Sequence, residues 1–124
     1  MAFDAEDRVI AASPVKASAA SSVKALGELG VGPDEAGTRF DWSPYTGPDG
    51  CFSLYKLVYS DDDETPSYLE GAAAAWAGES PAAGTTVVGE LPSGEHWFRI
   101  QVIRATDLGK FIAAQTSPTL YTVP

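Results

Sequence analysis

The sequence predicts an all-β protein, a two-sheet antiparallel β-sandwich of about seven strands. Three phrases that occur in order carry the expectation: Phe40-Asp41-Trp42-Ser43-Pro44, then Tyr55-Lys56-Leu57-Val58-Tyr59, then Leu91-Pro92-Ser93-Gly94 followed by His96-Trp97-Phe98-Arg99-Ile100. Each alternates with a period of two, the spacing that sends successive side chains to opposite faces of a strand. Each also sits beside residues that turn the chain.

Residues 1–21 are rich in Ala and Ser, contain Pro14 and show no sustained period, so they read as an N-terminal arm or linker. An extended arm of this kind can also add to a sheet edge. The domain proper is expected over residues 22–124. Its first strand places Val23, Ala25 and Leu29 on one face, with Gly27, and Lys24 and Glu28 on the other. Gly30 to Gly37 reads as a turn. The second strand, Thr38 to Ser43, points Phe40 and Trp42 one way and Arg39 and Asp41 the other. Pro44 ends it, because proline has no N–H for a ladder. Tyr45 to Gly50 form the next loop. The third strand, Cys51 to Ser60, sets Tyr55, Leu57 and Tyr59 against Leu54, Lys56 and Val58, and two fairly apolar faces suit a central strand.

Asp61-Asp62-Asp63-Glu64 then makes a loop or a charged edge. Residues 65–84 pull two ways. Ser67-Tyr68-Leu69-Glu70 fits a helix capping box and Ala72 to Ala77 favours helix, yet Gly71 and Gly78 bracket only a few residues. The expectation is an irregular crossover with a short strand or turn. Thr85 to Glu90 reads as a strand and Leu91 to Gly94 as a tight corner. Glu95 to Ala105 and Lys110 to Ser117 make a final hairpin through Thr106-Asp107-Leu108-Gly109. Thr119 to Val123 continue the last strand beyond a break at Pro118.

A Trp on the second strand (Trp42), a Tyr-x-Leu-x-Tyr on the third (Tyr55, Leu57, Tyr59) and a Leu-x-x-Gly corner (Leu91 to Gly94) resemble a fibronectin type III domain, an immunoglobulin-like sandwich. The likeness covers about residues 22 to 123. With the closing Leu120-Tyr121-Thr122-Val123-Pro124, it looks most like bacterial members found in secreted or envelope-attached proteins. It implies a spacer, adhesion module or accessory domain, located outside the cell or in its envelope, and it brings no catalytic site. One position departs from the family, which usually places a Tyr after the corner. Here the position is His96 or Trp97. Turning His96, Phe98, Ile100 and Val102 inward buries three apolar residues, whereas the other register buries Arg99 and Gln101 at a cost of several kcal/mol. His96 is therefore assigned to the corner and Trp97 to the outer face.

The chain of 124 residues suits one domain with one core. Its net charge of −9, with 17 acidic against 8 basic residues, excludes a broad positive face, so nucleic acid is not an expected partner. Cys51 is the only cysteine, so an intramolecular disulfide is excluded. Asparagine is absent, and with it any N-glycosylation sequon. The acidic start, Met1 to Asp7, lacks the layout of a signal peptide, and no apolar run has the length to span a bilayer. The expectation is a segment of a longer secreted chain, with no membrane insertion.

Among single residues, Trp42 reads as core and His96 as a corner residue satisfied by backbone. A Cys51–His96 nucleophile pair has no local signature. Asp61 to Glu64 lack the spaced carboxylates and glycine of a calcium loop and read as a solvated turn or a guard against edge pairing. No catalytic residue, cofactor or metal is expected. Tyr45, Tyr68, Trp76 and Trp97 are the aromatics that periodicity does not put in the core, and they are the candidate ligand contacts, since such rings stack on sugars or anchor a protein partner. The competing reading has Tyr68 and Trp76 plugging the open side of the sandwich. The functional expectation is a non-catalytic structural spacer or protein-interaction module whose partners are other protein domains or copies of itself. The alternatives are a subunit of a self-assembling structure that uses the N-terminal arm, and a carbohydrate-binding accessory domain that meets a glycan.

Overall fold

A computed structural model describes residues 23–124, and the arm read at residues 1–21 lies outside the described residues. Among the described residues nine strands follow one another: β1 Lys24–Ala25, β2 Gly30–Asp34, β3 Gly37–Asp41, β4 Leu54–Ser60, β5 Ala73–Gly78, β6 Thr85–Val88, β7 Gly94–Thr106, β8 Gly109–Gln115 and β9 Thr119–Val123. They form two sheets, β1-β8-β7-β4-β5 with β9 also on β7, and β2-β3-β6. All pairs are antiparallel except the short β1–β8 pair. The chain is thus an all-β, two-sheet sandwich.

The long strand β7 organises the larger sheet. Its inward residues His96, Phe98, Ile100 and Val102 are all buried, as the register argument requires. They meet Tyr55 and Leu57 of β4 and, across the sandwich, Phe40 and Trp42, with Phe40 and Phe98 ring centroids 5.0 Å apart. Pro118 interrupts the last strand as expected: β8 pairs with the second half of β7 and β9 with the first. The turn between β7 and β8 is Asp107-Leu108, and Leu108 N–H donates to the Thr106 hydroxyl at 3.1 Å.

Two expectations need correction. Gly30 to Gly37 is a hairpin rather than a turn alone: β2 pairs with β3 from Gly30↔Asp41 to Asp34↔Gly37. Only Glu35 and Ala36 turn, with Ala36 N–H donating to Asp34 Oδ2 at 3.0 Å. Pro33 fits because β2 is an edge strand. Gly37 has φ +146°, and a Cβ there would strike the Val88 carbonyl oxygen, so the small sheet closes only around glycine. Second, the first strand is two residues long, and Leu26 and Leu29 enter the core while Ala25 is exposed. Gly27 (φ +81°) breaks the alternation; on either side of it Leu26 N–H donates to Gln115 and Gly27 accepts from Ser117. The crossover holds a short strand, as expected: Ala73–Gly78 is extended despite its helical propensity. Pairing with β4 from Tyr55↔Gly78 to Tyr59↔Ala73 outweighs the few tenths of a kcal/mol per residue that propensity offers. The capping-box phrase yields only one 3-10 turn, Tyr68–Glu70, stopped by Gly71 at φ 95°.

Candidate functional site

The corner before β7 is built around His96, whose ring is 3 % exposed. Nε2 donates to the Pro92 carbonyl at 2.8 Å, the back-bond expected of a corner residue. Nδ1 faces Asp61 Oδ1, and the imidazole packs edge-on against Tyr59 and Phe98. Asp61 is largely in water, so the first carboxylate of the acidic run ties the β4–β5 crossover to the corner. Cys51 sits near the other end of the sheet, beside Arg104 and Pro48. Between the level of Ile103, next to the Cys51 turn, and His96 lie about seven residues of strand, roughly 23 Å. The fold therefore holds the thiol and the imidazole apart.

The crossover lies on the outer face of the large sheet. Gln101, fully buried, accepts the Tyr68 N–H at 2.8 Å and donates to Gln115 Oε1 at 2.9 Å. Pro66 is fully buried in the same segment. This cover explains why Val58, Gln101 and Ile103 are buried although they face away from the core between the sheets. Arg99, on that face, donates through Nε to the Thr116 carbonyl at 3.0 Å. Burial pushes its guanidinium below the ordinary arginine value, and the charge of Asp63 opposes the shift.

The four candidate contact residues divide by face and do not converge. Tyr45 is 9 % exposed and belongs to the core; its hydroxyl donates to Pro48 at 3.2 Å and its ring packs on Phe52. Trp76, on β5, lies half-buried against Trp42 at 5.4 Å and folds back over Gly78, so it closes the side of the sandwich as the competing reading held. Tyr68 is on the outer face, its ring under the ammonium groups of Lys56 at 4.8 Å and Lys110 at 5.6 Å. Trp97 is half-buried on the outer face of β7, opposite Leu120 of β9 and Ser60 of β4.

Three features were not read from the sequence. One is the Asp61–His96 tie, whose only signal was an acidic residue directly after a strand. Another is a cleft of about 460 Å³ between β1, β8 and the Tyr45 loop, where Lys24 and Arg104 flank Phe111 and Cys51. The third is the edge of β5, whose far side takes no backbone hydrogen bond from the described residues. Among the described residues, no group of three or more His, Cys, Asp or Glu is arranged to hold a metal ion, and no helix is long and apolar enough to cross a membrane. No protein-family model and no curated protein matches the chain.

Proposed function

We propose that this chain is a non-catalytic module of a bacterial surface or secreted protein, which spaces neighbouring domains and offers contacts to other proteins. The observation that carries the reading is the path of the chain through the sandwich. β1 runs parallel to β8 with Lys24 opposite Ala114, level with Val102, so the chain comes in from the Thr106 end of β7. β9 leaves at the opposite end, with Val123 opposite Gly94. The two levels are about eight strand residues apart, roughly 26 Å. Tension along the chain thus loads β1 against β8 in shear, where Leu26 N–H to Gln115 and Ser117 N–H to Gly27 resist it. The likeness to fibronectin type III domains supports the same reading and the location outside the cell or in its envelope.

The test is single-molecule stretching of the full chain between its ends. A spacer extends in one cooperative step after a force peak; gradual extension at low force would refute the role. Light scattering over a wide concentration range separates the alternatives. A monomer is expected. An oligomer that disappears when residues 1–21 are removed would replace the spacer with a self-assembling subunit. Retention on a polysaccharide gel, lost on Trp97→Ala, would replace it with a carbohydrate-binding domain.

A further inference from the structure

Among the edges of the two sheets, β5 differs from the others in what it leaves open. β2 carries Pro33, β8 carries Lys110 and is capped at Ala114–Gln115 by β1, and β6 is four residues long. β9 also lacks charge and proline, but it lies against β2, and its Thr119 hydroxyl donates to the Leu29 carbonyl at 2.9 Å. These are the usual ways in which an edge is protected. β5, Ala73–Gly78, contains neither charge nor proline. One side of it pairs with β4, and no backbone hydrogen bond among the described residues occupies the other. Ala73, Ala74 and Ala77 are exposed, and small side chains let a second strand approach closely. The bulge at Ala75, opposite the Leu57–Val58 step, adds local twist to this edge. Trp76, half-buried against Trp42 at the same edge, keeps part of its ring accessible to an added strand.

The charges around the edge say what fits. Glu70 and Glu79 bracket β5, both exposed and neither with a cationic partner among the described residues. Asp62 and Glu64, also exposed, follow β4 at the end where Tyr59 pairs with Ala73. A second copy is disfavoured, because antiparallel pairing of two β5 strands brings Glu70 of one toward Glu79 of the other, on chains that each carry −9.

We propose that β5 is an acceptor edge that takes up an extended segment of another protein by strand addition, one with small or apolar residues in its middle and Lys or Arg at both ends. Main-chain hydrogen bonds along β5 supply affinity, Trp76 packs on the inward side chains of the added strand, and the flanking glutamates select the basic ends. This assignment rests on the reading of the chain as a protein-interaction module. It is tested on the isotopically labelled full chain by titration with a ten-residue peptide that has two lysines at each end and alternating threonine and valine between. The expected result is amide shifts concentrated in residues 73–78, with affinity weakened roughly tenfold in the exposed double variant Glu70→Lys, Glu79→Lys. The same peptide with glutamates at its ends should bind that variant better than the native chain. Three results would overturn the proposal: no shift in β5 at millimolar peptide, equal binding by native and variant chains, or β5 shifts on simple concentration of the protein, which would make a second copy the occupant. The stretching experiment does not involve this edge, so the module reading stands or falls separately.

Discussion

Replacing Tyr55 by Phe removes one oxygen from the fully buried centre of the sandwich and leaves the ring in place. That oxygen holds two loops. It accepts the Tyr45 N–H at 2.8 Å and donates to the Pro81 carbonyl at 2.7 Å. The ring contacts with Trp42 at 5.5 Å and Phe52 at 4.9 Å are unchanged in Phe, so almost no packing is lost. The Tyr45 N–H is buried, and leaving it without an acceptor costs about 1–3 kcal/mol. Pro81 is exposed, so its carbonyl recovers a water and its loss is about 0.5–1 kcal/mol. The sum, about 1.5–4 kcal/mol, is a large share of the ~5–15 kcal/mol that holds a domain. The assay is urea unfolding followed by tryptophan fluorescence, with a midpoint shift of roughly 1–2 M at an unchanged slope. A shift equivalent to less than about 0.5 kcal/mol would refute the reasoning, since it would mean that the buried amide finds another acceptor.

Gly37→Ala should destabilise by about 2–4 kcal/mol in the same assay, because the added methyl meets the Val88 carbonyl and φ stays at +146°. His96→Ala should cost about 2–4 kcal/mol, chiefly through lost ring packing, since the exposed Pro92 carbonyl recovers a water. Asp61→Ala should cost under about 1 kcal/mol, because a side chain 76 % exposed is replaced by water; the reverse order would show that the tie, not the corner, carries the energy. Gln101→Leu keeps the outer face filled but removes the acceptor of the Tyr68 N–H, so hydrogen exchange at that amide should speed up by roughly tenfold or more while global stability changes little.

The candidate site was less legible than the fold. The inward face of β7 and the corner role of His96 followed from counting which register buries polar groups, a constraint that acts within one strand. The partner of Nδ1 did not follow, because Asp61 lies thirty-five positions away and reaches the ring only through the path of the crossover. Gln101 was read as a residue that the core must exclude. It is nevertheless buried, because Pro66 to Tyr68 cover the outer face and supply its hydrogen-bond partners.

By itself the sequence determined the all-β class, the core place of Trp42, the inward set Phe98, Ile100 and Val102, the closing hairpin and the break at Pro118. All of these are local: side-chain alternation, a missing N–H and turn chemistry act between residues a few positions apart. Only the tertiary structure decided that Gly30–Asp34 pairs as an edge, that the strand of the crossover is Ala73–Gly78 paired with β4, and that the other side of β5 takes no backbone hydrogen bond from the described residues. Those outcomes depend on which strands are adjacent in a sheet. Pairing energy gained across long separations in the chain outweighs the small intrinsic preferences of Gly, Pro and Ala that can be read from neighbouring residues.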